Sequence, residues 1–133
     1  MNYATKLLPV LAVAGLMVAA GSAARDNQHQ AEHRTSQFQG AKANTGMAIH
    51  FVQDGKSVLK VTEDFRTPDT PAPTWRAVDS KGNVYTLDAF KIKGGEKRQI
   101  AVPSYVKDIA KVQVYCAWAE VLLGEASFAS PVK

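Results

Sequence analysis

Between Lys111 and Phe128 the apolar and polar positions alternate with the period of a strand. Val112, Val114, Cys116 and Trp118 fall on one face, and Gln113, Tyr115, Ala117 and Ala119 on the other. The first face is continuously apolar and carries the thiol, which predicts a strand buried on one side and partly covered on the other. Glu120 breaks the run. Val121 to Leu123 begins a second short apolar piece, and Gly124 marks a tight reversal or a bulge before Ser127 and Phe128.

The same period recurs upstream. Met47, Ile49 and Phe51 alternate, as do Leu59 and Val61 after Gln53-Asp54-Gly55. A three-residue loop with Gly55 left-handed would pair Ile49 with Leu59 and Met47 with Val61. That register gathers the apolar sets on one face and turns His50 to the other. Pro68, Pro71 and Pro73 exclude helix and regular ladder alike, so RTPDTPAPTW reads as an extended crossing between sheets. Trp75 and Ala77 share a face of the strand that follows. A turn at Ser80 to Asn83 returns the chain through Val84 to Leu87.

Phe90 and Ile92 share a face before Lys93 to Glu96 turns the chain again. Arg98, Ile100 and Val102 then alternate up to Pro103, and Ser104 to Ala110 has the spacing of one helical turn. About seven to nine short strands with regular turn signals predict an all-β fold, an antiparallel β-sandwich or flattened barrel.

The N-terminus has a different pattern. Lys6 precedes an uncharged apolar stretch from Leu7 to Ala20, and Ser22-Ala23-Ala24 supplies small residues where a signal peptidase cuts. This predicts an exported protein, periplasmic or secreted, with residues 1–24 removed as a signal peptide after about Ala24. The stretch is short for a span and no stop-transfer segment follows, so stable membrane insertion after cleavage is not expected. Residues 25–37, RDNQHQAEHRTSQ, are polar and read as a flexible tether, leaving 38–133 as a single sandwich domain.

Composition narrows the chemistry. The chain carries 16 Lys and Arg against 12 Asp and Glu, and the excess is spread rather than gathered into a stripe. Its densest basic group, Lys91, Lys93, Lys97 and Arg98, surrounds a Gly-Gly turn and reads as a solvated hairpin tip, not a nucleic-acid surface. The single cysteine forbids an intramolecular disulfide, so the core holds by packing alone. Cys116 has no His or Lys beside it to lower its pKa, and Val114 and Trp118 are its apolar neighbours. On residues alone it is a small buried hydrophobe.

His29 and His33, four apart with Glu32 between, lack a third well-placed ligand, so no metal site is expected. No Cys-x-x-Cys-His motif exists, which excludes c-type haem. Non-covalent haem would draw an axial ligand from Cys116, Met47, His50, His29 or His33. Type-one copper would need two histidines beside the cysteine, and only His50 falls within the predicted domain. No nucleophile elbow or phosphate-cradling glycine loop is present.

Residues 38–129 resemble the "DM-thirteen" electron-transfer domain family. The resemblance rests on the Phe38-Gly40-Gly46 spacing, Leu59 and Val61, Phe65 with Thr67 and Pro71, and the Gly95 to Pro103 arm. It closes on VQVYCAWAEVLLGEASF, with the aromatic-cysteine pair Tyr115-Cys116 and then Gly124-Glu125-Ala126. Tyr115 stands where the family often has tryptophan, and Asp69 to Pro73 replaces its glycine-proline-aspartate. The resemblance implies a small exported β-domain serving electron transfer or redox modification. Cys116 would be the redox or cofactor-linked residue, and a redox protein the partner. Its pocket would draw on Tyr115, Trp118, Val114, Trp75, Met47 and His50. The alternative is a non-catalytic binding module whose cysteine is core. The Thr67 to Thr74 loop with Trp75, Tyr85 and Tyr105 would then form its recognition surface. A thiol enzyme ranks behind both.

Overall fold

Asp54 and Gly55 set the register of the first hairpin, and through it the inner face of one sheet. Both take positive φ, 52° and 76°, the requirement of a two-residue primed turn whose twist matches that of the strands it joins. In the computed structural model, which describes residues 31–133, this turn joins β2 (Ala48–Gln53) to β3 (Lys56–Val61). Gln53 pairs with Lys56, His50 with Leu59 and Ala48 with Val61. The expected three-residue loop pairing Ile49 with Leu59 is therefore displaced by one position. Because side chains alternate, that single step exchanges the two faces of β2. His50 goes inward beside Ala48, and Ile49 and Phe51 go outward. The predicted signal peptide and the first part of the predicted tether lie outside the described residues.

The remaining strands are β1 (His33–Arg34), β4 (Pro73–Val78), β5 (Val84–Ala89), β6 (Lys91–Ile92), β7 (Gly95–Glu96), β8 (Gln99–Ala101), β9 (Ile109–Cys116) and β10 (Val121–Val132). They form two four-stranded sheets, β1-β2-β3-β8 and β10-β9-β4-β5, with β6 and β7 as a separate small hairpin. All pairing is antiparallel. The fold is an all-β sandwich of two packed sheets, as the strand periodicity predicts.

Residues 33–37 are part of it and not tether. His33 and Arg34 pair with His50 and Ile49 as an edge strand. Ser36 then donates to the Ser127 carbonyl at 2.8 Å and Gln39 bridges to Glu125, so this segment ties the first sheet to β10 of the second. Edge strands are commonly short and polar, which is why this one reads as a linker.

Between the sheets runs a stack of aromatic rings. Trp75 lies 4.5 Å from Phe90 at an interplanar angle of 10°, Phe90 lies 5.4 Å from Phe65, and Phe65 lies 5.1 Å from Phe38. Trp75 satisfies its indole N–H on the Lys97 carbonyl at 2.9 Å, as a buried tryptophan must. Arg98 covers the rim of the stack. Its guanidinium donates to the carbonyls of Thr62 and Phe65, both at 2.9 Å, and lies 5.7 Å from the Phe65 ring. Gly46 is required here, because a Cβ would sit 2.6 Å from the Phe65 Cα.

Two local expectations fail for identifiable reasons. Phe90 is fully buried while Ile92 is 49 % exposed, because a register irregularity in β4–β5 and the break into β6 put the two on different faces. Ser104 to Asp108 makes a turn and extended chain instead of a helical turn, since Ile109 and Ala110 already pair in β9. Gly124 does sit at a bulge, where the pairing of β10 slips between Leu122 and Gly124, but the strand continues past it to Val132.

Candidate functional site

Cys116 is the last residue of β9, opposite Pro73 on one side and Val121 on the other. Its strand neighbours on the inner face, Val112 and Val114, are fully buried, and the sulfur-bearing residue itself is 1 % exposed. The chain folds over it immediately. Glu120 donates its N–H to the Cys116 carbonyl at 2.7 Å and takes a left-handed φ of 57°, closing a turn over Ala117 to Glu120. Within that turn the Ala119 N–H reaches the Cys116 sulfur at 3.5 Å. That hydrogen bond holds the thiol below its ordinary pKa. Burial opposes the shift, and the backbones of Ala72 and Trp118 reinforce it.

The turn corrects the expectation for Trp118. The strand ends two residues earlier than the alternation implies, and Trp118 stands on the tip of the turn, 76 % exposed. Val121 and Leu122 beside it are also exposed. A core role for Trp118 is excluded by that exposure.

The other candidate residues do not converge on the sulfur. Val114 and Trp75 are cross-strand partners in the core. Tyr115 faces outward, where the Arg76 guanidinium lies 4.0 Å over its ring. Met47 and His50 belong to the first-sheet side, Met47 tied through its N–H to the Thr62 hydroxyl at 2.9 Å. The expected recognition surface is not assembled either. Trp75 is in the core, and Tyr85 donates its hydroxyl to Asp79 at 3.0 Å and lies 5.9 Å from exposed Tyr105, on strand β5 rather than beside the proline loop. Asp79 also receives the N–H groups of Lys81 and Asn83 and the Asn83 side chain, which hold its carboxyl below the usual range. This is turn architecture, not a reactive carboxylate.

A thiolate ligand for haem needs an open coordination position and an apolar slot against the iron. Cys116 instead belongs to the packed core and is 1 % exposed, with no open position beside its sulfur. The residues present do not fit that group. Among the described residues no cluster of three or more His, Cys, Asp and Glu is placed to hold a metal ion. Among the described residues no helix is long and apolar enough to cross a membrane.

His50 is the residue whose setting the alternation pattern missed. It is 1 % exposed on the inner face of β2, with Nε2 at 2.8 Å from the Ser57 hydroxyl and its ring edge-on to Phe128 at 6.3 Å. Burial, and then the nearby His33, push its pKa below the ordinary histidine value. The Asp54-Gly55 dipeptide was the available signal, since it specifies a two-residue turn and hence the inward facing of His50. Ser57 also lines a cavity of about 490 Å³ with Lys56, Val102, Ser104 and Lys107. Compared with protein-family models, with curated proteins and with solved structures, the chain matches none.

Proposed function

We propose that this is an exported, non-catalytic binding module in which Cys116 is part of the core. The observation that carries the reading is the state of the sulfur: 1 % exposed, flanked by fully buried Val114, and already hydrogen-bonded within its own turn. An electron-transfer thiol or a cofactor link requires access or an open slot, and the turn over Ala117 to Glu120 occupies the approach. The exposed Trp118, Val121 and Leu122 supply the large apolar side chains that binding surfaces use as anchors.

A redox role, as the resemblance to the DM-thirteen family implies, is the second reading. One observation favours it: the Ala119 N–H stabilises the thiolate despite burial. The test is a redox titration of the full-length protein purified from its native compartment, with a visible absorption spectrum. The binding-module reading expects a colourless protein with no reversible couple. A couple or chromophore lost in Cys116→Ala would overturn it in favour of electron transfer.

A further inference from the structure

Several buried side-chain atoms lack a hydrogen-bond partner, among them His50 Nδ1. His50 combines this with 1 % exposure, so the cost of the missing bond is not recovered from solvent. Its other nitrogen, Nε2, is pinned to the Ser57 hydroxyl at 2.8 Å. A neutral imidazole has one N–H and one lone pair, so two arrangements exist. If Nε2 accepts from Ser57, the pair resembles a serine and its base. Nδ1–H would then need a carboxylate or carbonyl to hold it, and it has no partner at all. If Nε2–H donates to Ser57, Nδ1 is left as a bare lone pair.

The second arrangement is that of a metal-ligating histidine, whose non-ligating N–H is held by a neighbouring oxygen. A second imidazole lies next to it. His33 is the direct cross-strand partner of His50, with ring centres 5.8 Å apart and planes 30° from parallel. Two imidazoles sharing one tetrahedral ion at about 2.1 Å place their ring centres roughly 5 to 6 Å apart. His33 is exposed and can turn its ring edge toward the shared point. A cavity of about 240 Å³ opens beside it, lined by Glu32, Arg34, Phe128 and Ser130 among others.

We propose that His33 and His50 form a two-imidazole site for a borderline transition-metal ion such as Cu(II) or Zn(II), with Ser57 fixing the tautomer of His50. The remaining coordination positions are filled by water or by a donor atom of a bound molecule. Both imidazoles belong to the sheet that does not contain Cys116, so the site stands independently of the function proposed above.

Titration of the full-length protein with Cu(II) alone, followed by calorimetry and by electron paramagnetic resonance, tests this. One equivalent with two-nitrogen hyperfine structure is expected. His33→Ala, an exposed position that leaves the fold intact, should weaken binding at least tenfold. Ser57→Ala, which frees the ring without removing a ligand, should weaken it by about tenfold. His29→Ala should leave it unchanged. Equal affinity in wild type and His33→Ala would overturn the proposal, as would loss of binding in His29→Ala with His33→Ala unaffected.

Discussion

Cys116 and His50 are equally buried, each 1 % exposed, yet their surroundings differ in kind. The weak hydrogen-bonding capacity of Cys116 is met by the Ala119 N–H, and the residue is part of the packed core. Half of the strong hydrogen-bonding capacity of His50 is met by Ser57, and the other half is unmet. Burial alone therefore does not mark a site. A satisfied buried group is architecture, whereas an unsatisfied one costs stability that a ligand could recover.

Substitutions on the two sides of the molecule should have different costs. Trp75→Ala, which removes the ring stacked on Phe90 along the row that includes Val114, should cost about 3–5 kcal/mol in a denaturant unfolding experiment. A much smaller loss would mean the cysteine side of the molecule is loosely packed. Ser57→Ala strips His50 of its one partner and should cost about 1–3 kcal/mol. His50→Leu removes the demand along with the group, and should be the better tolerated of the two.

Cys116→Ser replaces a weak thiol donor and acceptor by a strongly polar hydroxyl in the packed core, at a cost of roughly 1–2 kcal/mol. The pH dependence should follow His50. Its folded pKa is depressed, so in the window from the ordinary histidine value down to the folded one the unfolded chain binds the extra proton. Stability is then fully present above about pH 6.5 and lost as pH falls through that window. His50→Leu should flatten this part of a denaturant-midpoint profile. Trp118→Ala, on an exposed tip, should change stability by no more than about 0.5 kcal/mol.

Much of the fold was legible because the apolar residues alternate. The strands around Val112, Ile100, Leu59 and Trp75 lie where their periodicity places them. What periodicity could not fix was phase and termination. Between Met47 and Val52 both phases are apolar enough to be inward, with Ala48 and Ile49 both buried, so only the chemistry of Asp54-Gly55 decides which face His50 joins. After Cys116, Ala117-Trp118-Ala119 continues the alternation, and although Glu120 breaks the run, nothing in its type marks the left-handed turn that already carries Trp118 out of the strand. Trp118 therefore read as core when it is a tip. The His33-Arg34 edge strand was invisible because its burial is slight and its sequence polar. Cys116 is buried beside Val114 as the alternation predicts, but the Trp118 expected next to it is exposed. The backbone N–H that lowers the thiol pKa has no sequence signal, and the pairing of His33 with His50 requires the register that only the structure supplies.

Thiol alkylation across a denaturant series measures the sealing of Cys116 directly. If the turn over Ala117 to Glu120 is a fixed part of the core, a small alkylating reagent modifies Cys116 at a rate that rises with denaturant in step with global unfolding. Rapid modification in native buffer, independent of denaturant, would show an open thiol and contradict the binding-module reading.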